Sequence, residues 1–281
     1  MSGKGGERGE RKMETGIAAV EKVGGRSTVT RCFSKYPLKL IVPNKVGSSK
    51  TDAVWIYTLS YGGGIVSVYK SVDSKCSEQV LEARIGRNAL LAVIPDPVTC
   101  FSTARYSQKQ VFRVFSDSNL VIVDWITSGR HESGEKWEFE LYRSTNQIFL
   151  EEDQPLFLDS VLLEQASTCS IAERMQEYHV IAMVIILGPM LKHVQNQVQD
   201  EVKKMMSRHF RVPTPTAGHY MRSESQSGPT RPALVASCSA FGPQAIGVVV
   251  RIAAVTTESV YMFLRHHLAT LEPFLGVIPY G

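Results

Sequence analysis

The sequence predicts a mainly β protein with a few helices, all placed late in the chain, on three observations. From Ile17 onward it is a series of short β-branched or aromatic runs separated by turn residues. One of these, Asn119–Ile126, is apolar on both alternating faces. Leu120, Ile122 and Ile126 fall on one side and Val121, Val123 and Trp125 on the other, the pattern of a strand covered on both faces. Helical spacing, by contrast, occurs only late. Leu191, Val194, Val198, Val202 and Met205 form one stripe within Met190–His209, and Val260, Phe263, Leu264, Leu268 and Leu271 form another.

Taken in order, residues 1–16 are Gly-, Lys-, Arg- and Glu-rich and read as a disordered tail. Residues 17–281 read as a single domain. Ile17–Val23, Ser27–Phe33 and Pro37–Val42 are strand-like, with Gly24-Gly25 as a tight turn between the first two. Ala53–Ser60 is the next strand and runs into Gly62-Gly63-Gly64. The residues after that triplet are strand-like and lack Gly-Lys-Ser/Thr, so a glycine turn fits better than a phosphate cradle. Gln79–Ile85 and Ala89–Ile94 read as a strand pair about Gly86-Arg87-Asn88, and Pro95-Asp96-Pro97 as a turn. Gln110–Phe115, Asn119–Ile126, Trp137–Tyr142, Gln147–Leu150 and Leu156–Leu163 continue the β pattern. Val180–Leu187 is a buried strand or the lead-in to a helix. Pro189 opens the first late helix, and a flexible loop occupies about 211–232. Ala233–Ala240 and Ala245–Val255 are strands. Thr256 or Thr257 caps the last helix, which Pro273 stops.

Composition excludes several classes. A net charge of +4, with Lys and Arg scattered, gives no basic stripe for nucleic acid. Cys32, Cys76, Cys100, Cys169 and Cys238 are odd in number and lack a CxxC pair, which fits free thiols in a reducing, cytoplasmic setting. The longest apolar run, Val180–Leu187, is far shorter than the roughly 20 residues of a membrane helix. There is no HExxH, no Gly-x-Ser-x-Gly and no paired-cysteine zinc pattern. The adjacent His266 and His267 point about 100° apart on a helix and are no ready two-ligand site. No catalytic residues and no tight metal site are expected. Asp124 is the anomaly, because an unpaired carboxylate inside a doubly apolar strand costs several kcal/mol. It must be hydrogen-bonded, paired, protonated or facing internal water. Asp159, inside Leu156–Leu163, repeats the oddity.

Several of these residues form an ordered string: Gly62-Gly63-Gly64-Ile65-Val66-Ser67, then Val68-Tyr69-Lys70-Ser71, Gly129-Arg130 with Gly134-Glu135, and Ser170-Ile171-Ala172-Glu173-Arg174. With Val249-Val250-Arg251-Ile252 and the helix after it, the string resembles the urease accessory protein UreD (UreH) family, in particular its plant members. The resemblance runs from about Val20 to the end. It implies a β-helix-like stack of mixed sheets with helices at the side and at the C-terminal end. It also implies a non-enzymatic scaffold and metallochaperone for nickel insertion into apo-urease. The implied partners are UreF, the GTPase UreG through UreF, and apo-urease, with a homodimer inside a larger complex compatible with this picture. Ni2+ would be in transit through an internal tunnel, with no tightly bound cofactor. On this reading Asp124, Glu135 and Glu173 line or brace the nickel path. Arg130 pairs with a carboxylate to hold the Gly129–Glu135 turn, which Gly134 also shapes. Hard oxygen ligands suit a conduit because they hold the ion loosely.

The sequence departs from the family at one point. Ser67 joins Val68 directly where the family carries about two dozen more residues, roughly two strands and a turn. An impaired isoform with exposed strand edges is the expectation. Two other readings of the residues stand beside this one: a hydrolase or isomerase using Asp124 and Glu135 as an acid–base pair, and an interaction scaffold with no metal path.

Overall fold

The computed structural model describes residues 15–36, 38–43, 52–60, 76–151, 153–209 and 231–281. The triple glycine, the Ser67–Val68 junction, most of the N-terminal tail and nearly all of the 211–232 loop lie outside them.

Strands β1 (Gly16–Val23) and β2 (Arg26–Ser34) form a hairpin whose turn residues, Gly24 and Gly25, both have positive φ (57° and 79°). That conformation is open to glycine at little steric cost. Then follow β3 (Leu38–Ile41), β4 (Val54–Ser60), β5 (Ser77–Ile85), β6 (Leu90–Val93), the short β7 (Val98–Thr99), β8 (Arg105–Val114) and β9 (Asn119–Thr127). β10 (Leu141–Leu150) and β11 (Gln154–Glu164) precede helix α1 (Ile171–Met175). β12 (Val180–Leu187), α2 (Lys192–His209), β13 (Leu234–Phe241), β14 (Gly247–Ala254), α3 (Thr257–Leu268) and α4 (Glu272–Leu275) complete the order.

The chain winds between two sheets. The first runs β11-β10-β8-β5-β1-β2 and the second β13-β14-β12-β9-β6-β4-β3. β4, β5, β6, β8, β9 and β10 fall alternately in the second and first sheets, with the short β7 pairing β9 in the second. β1, β5, β8 and β10 pair parallel in the first sheet, and β4, β6 and β9 in the second. This is the β-helix-like stack of mixed sheets, closed by antiparallel strands at its ends. One expectation changes accordingly. β5 and β6 are not a hairpin: Gly86-Arg87-Asn88 is a corner that carries the chain from one sheet to the other. Asn88 takes φ 55° there and Gly86 N–H donates to Val20 O at 2.7 Å.

Every residue of β9 is buried. Leu120 and Ile122 join an inter-sheet core with Leu81, Phe112, Ile148 and Ile185. Val121, Val123 and Trp125 join a second core under the helices, with Val184, Val250, Val198 and Leu264. Of the first stripe, Leu191 in the turn before α2 and Val194, Val198 and Val202 of α2 are buried there, and Met205 is partly buried; Val260, Phe263, Leu264 and Leu268 of α3 and Leu271 just after it are buried there too. Pro189 opens the 3-10 turn that leads into α2. Thr256 caps α3 by accepting from Ser259 N–H at 3.2 Å.

Among the described residues, β4 pairs with β6 over Val54–Ile56 and with β3 over Tyr57–Ser60, and β5 pairs with β8 along its whole length and with β1 over Leu81–Ile85. The halves nearest the Ser67–Val68 junction, Tyr57–Ser60 of β4 and Ser77–Val80 of β5, thus have a strand partner on one side only, which is where additional strands could pair.

The layering generates a stability prediction. Leu264→Ala should cost about 2–5 kcal/mol in urea unfolding, because its site is closed on all sides. Leu158→Ala, 59% exposed on the edge strand β11, should stay within about 0.5 kcal/mol.

Candidate functional site

The inward-facing residues of the first sheet stack in register. Tyr106 lies beside Tyr142, Gln108 beside Ser144, Gln110 beside Asn146, Phe112 beside Ile148, and Gln79 beside Gln108. Parallel in-register pairing therefore sorts the interior into layers, aromatic, polar and apolar along the strands. Asp124 on β9 faces the polar layer from the opposite sheet. Its Oδ1 accepts from Gln108 Nε2 at 2.6 Å, and its Oδ2 accepts from Ser144 Oγ and Asn146 Nδ2, both at 2.6 Å. The network continues outward. Gln110 Nε2 donates to Asn146 Oδ1 at 3.1 Å, and the Tyr106 hydroxyl reaches Gln79 Oε1 at 3.0 Å and Gln108 Oε1 at 3.1 Å. All seven residues are buried.

Burial pushes the Asp124 carboxyl above its usual range, with a smaller contribution from the charge of Asp159, and the three donors pull the other way. Asp159 itself pairs with Arg251 at 2.7 Å, bridging β11 of one sheet to β14 of the other. Asp124 is thus a hydrogen-bonded carboxylate rather than a hydrated one. Its oxygens are already engaged by protein donors, because three side chains project at it from β8 and β10. Orphaning those donors would cost about 1–3 kcal/mol each.

An aromatic cluster closes one end of this layer. Tyr106 and Tyr142 lie 6.0 Å apart, Phe139 is 6.3 Å from Tyr142, and Trp137 is 5.9 Å from Phe139. Residues 137–140 form no strand, contrary to the Trp137–Tyr142 expectation. Trp137 adopts φ 58°, and its indole N–H donates to Tyr178 O at 2.9 Å. The loop that carries these rings is fastened by Arg130 and Glu135. Arg130 Nε and its guanidinium NH2 reach Glu135 Oε1 at 3.2 and 2.5 Å, and Arg130 N–H donates to Glu135 Oε2 at 3.1 Å. Hydrogen bonds from Arg130 hold the Glu135 carboxyl below its ordinary range. Gly129 has φ 130°, and a Cβ there would sit 3.0 Å from Glu135 Cβ, so the turn needs glycine. Gly134 has φ 78°. A cleft of about 470 Å³ flanks this turn, lined by Thr127, Ser128, Arg130, His179 and Thr257 among others.

Glu173 lies elsewhere. It is exposed in the capping box of α1, where its Oε2 accepts from Ser170 N–H at 2.7 Å. It does not line the inter-sheet interior, because its side chain folds back on its own helix start. Gln165 nevertheless ties the two motifs together. Its Nε2 donates to Trp137 O and Phe139 O, and its Oε1 accepts from Ile171 N–H. Asp124 and Glu135 belong to separate hydrogen-bonded groups with no partner in common. Sequence reading missed the polar partners of Asp124, and it also missed that Glu201 of α2 meets His266 and His267 of α3.

The two carboxylates should shape stability against pH with opposite signs. The folded-state pKa of Asp124 is raised, so its contribution is lost as pH rises above the ordinary carboxylate range. That of Glu135 is lowered, so its contribution is present above that range and lost as pH falls through and below it. Melting curves between about pH 3 and pH 7 should show Asp124→Asn removing the neutral-side decline and Glu135→Gln removing part of the acid-side decline.

Residues 67–279 match the family model described as UreD urease accessory protein. The chain is 62% identical to "Urease accessory protein D" of Oryza sativa subsp. indica, with 95% of each chain covered. It is 58% identical to the protein of the same name from Arabidopsis thaliana, covering 96% of this chain and all of that one. At 26% identity it also matches "Urease accessory protein UreD" of Anaeromyxobacter sp., over 97% of this chain and 92% of that one. An alignment of 291 positions with the rice protein that takes in 95% of a 281-residue chain sets roughly two dozen positions opposite gaps here. The chain belongs to the UreD urease accessory protein family and is most like its plant members among these relatives.

Proposed function

We propose that this chain is a cytoplasmic scaffold and metallochaperone of urease maturation, non-catalytic itself, through which Ni2+ reaches apo-urease. The observation that carries the reading is the buried polar layer around Asp124 in a chain of this family. Its side chains offer carboxylate, amide and hydroxyl oxygens, hard ligands that bind Ni2+ weakly and release it. A path of such sites in series favours passage over storage. Passage requires Gln108, Ser144 and Asn146 to exchange their bonds to Asp124 for bonds to the ion. Asp124 lines the path, while Glu135 and Glu173 brace the loop at its aromatic end through Arg130 and Gln165. UreF, the GTPase UreG bound through UreF, and apo-urease are the partners, in a complex that can contain two copies of this chain. Among the described residues no helix is long and apolar enough to cross a membrane.

Asp124→Asn keeps the size of the side chain and removes its charge. Co-expressed with apo-urease, UreF and UreG, it should lower urease activation severalfold while pulling down UreF as the parent does, and Glu173→Gln should have the smaller effect. Full activation by Asp124→Asn would overturn the conduit and leave an interaction scaffold.

The gap after Ser67 is the basis of a second proposal, that this form is an impaired isoform. Because β4 and β5 each keep a strand partner along their whole length, both this chain and a version with the segment restored should retain UreF. The restored version should activate urease better. Equal activation would refute the impairment, and failure of both to bind UreF would refute the partner.

A further inference from the structure

The packing of α3 on α2 creates a cluster that lies outside the inter-sheet layer. Glu201 on α2 turns Oε2 toward two imidazoles of α3. His266 Nε2 lies 3.2 Å from it and His267 Nδ1 3.0 Å. The three ligand atoms all lie within 4.8 Å of one another. A first-row ion held at about 2.0–2.2 Å by N and O ligands needs them roughly 3–4 Å apart. Two of the spacings already meet that, and the exposed His266 can swing to close the third.

Three further features separate the cluster from an ordinary ion pair. His267 is nine-tenths buried, yet its Nδ1 has no hydrogen-bond partner. Glu201 stands 3.0 Å away but off the hydrogen-bonding direction, so a buried lone pair or N–H is left aimed at the cluster. Gln197, one turn earlier on α2, donates Nε2 to Glu201 Oε1 at 3.1 Å and so fixes the carboxylate with Oε2 presented. Phe263, with its ring centroid 4.1 Å from that of His267, walls the imidazole on its apolar side. The group is graded in exposure: His267 buried, Glu201 partly exposed, His266 69% exposed. A hydrated ion could approach from the His266 side and keep water on its open face.

We propose that Glu201, His266 and His267 form a binding site for a divalent first-row transition metal ion of borderline softness, such as Ni2+, Zn2+ or Co2+. Two imidazoles and one carboxylate select these ions over Mg2+ and Ca2+, which take all-oxygen shells. The site joins α2 to α3, so an occupied site would also clamp the helical layer.

This inference stands apart from the urease reading. It depends on the α2–α3 seam and not on the passage of ions past Asp124. The test uses the full chain with NiCl2, ZnCl2 or CoCl2 as the probe, followed by calorimetric titration and, for Co2+, by visible absorption of a histidine-ligated ion. His266→Ala is the primary variant because the residue is exposed, and unchanged circular dichroism and melting in the absence of metal would confirm its fold. Glu201→Gln is the second variant, and His193→Ala, at an exposed histidine of α2 outside the cluster, the control. Expected is the loss of one equivalent, or a rise of tenfold or more in its Kd, in both cluster variants, with the Co2+ band lost and the control unaffected. Stoichiometry, Kd and spectrum unchanged from the parent in both cluster variants would overturn the site.

Discussion

The fold turns on the solvation of one carboxylate. Asp124 is the charged exception in a strand buried along its whole length, and it is satisfied only when Gln108, Ser144 and Asn146 stand opposite it. Two of those come from β10 and one from β8, so the donors converge only if β8 and β10 are paired in register. A one-residue slip of either strand would turn its donors to the outer face. A slip of β9 would drive the carboxylate into the apolar core beneath α2 and α3. Apolar layers tolerate sliding better, since one aliphatic contact can replace another. The polar layer therefore aligns the two sheets, at the expense of a desolvated acid whose burial opposes its own ionisation.

The same layer explains which parts of the fold were legible in the sequence. β9 and the stripes of α2 and α3 stood out because their apolar periodicity is strong and their burial follows it. The first halves of β8 and β10 did not. In Arg105–Lys109 and Arg143–Asn146 both faces carry polar residues, so no period-two contrast marks the inward side. The strands were visible only from Gln110 and Gln147 onward, where apolar residues return. Asp124 could be flagged as anomalous from its own strand, but its partners lie on strands distant in sequence, and only pairing register brings them to it. The inward Gln-x-Gln of β8 and Ser-x-Asn of β10 were the available signal, and it carries weight only once those strands are known to be buried.

The remaining differences have local causes. Trp137 looked like a strand start because aromatic residues favour strands, but indole and backbone hydrogen bonds hold it in a left-handed turn. Glu173 looked like a path residue from its position in the family string. Its spacing from Ser170, however, is that of a capping box, and the local hydrogen bonds take it. The pair His266 and His267 looked unpromising because helix neighbours diverge. Their ring centroids nevertheless lie 4.9 Å apart, and a third group from another helix meets both.

Family membership and the proposed metal chemistry meet in a contrast of donor types. Around Asp124 every ligand atom within reach is oxygen or an amide, and each is engaged by a neighbour. An ion there would compete with protein hydrogen bonds at each step and stay weakly held. At the α2–α3 seam the donors are two imidazoles and a carboxylate, and one nitrogen is already without a partner, so an ion would displace less. For any borderline dication the affinity order follows: tighter at the helical surface, looser in the interior. An interior built from nitrogen or sulfur ligands would reverse that order and turn a passage into a trap. The placement of imidazoles outside and oxygens inside is thus what a chain needs if it is to meet such an ion at its surface without halting it within.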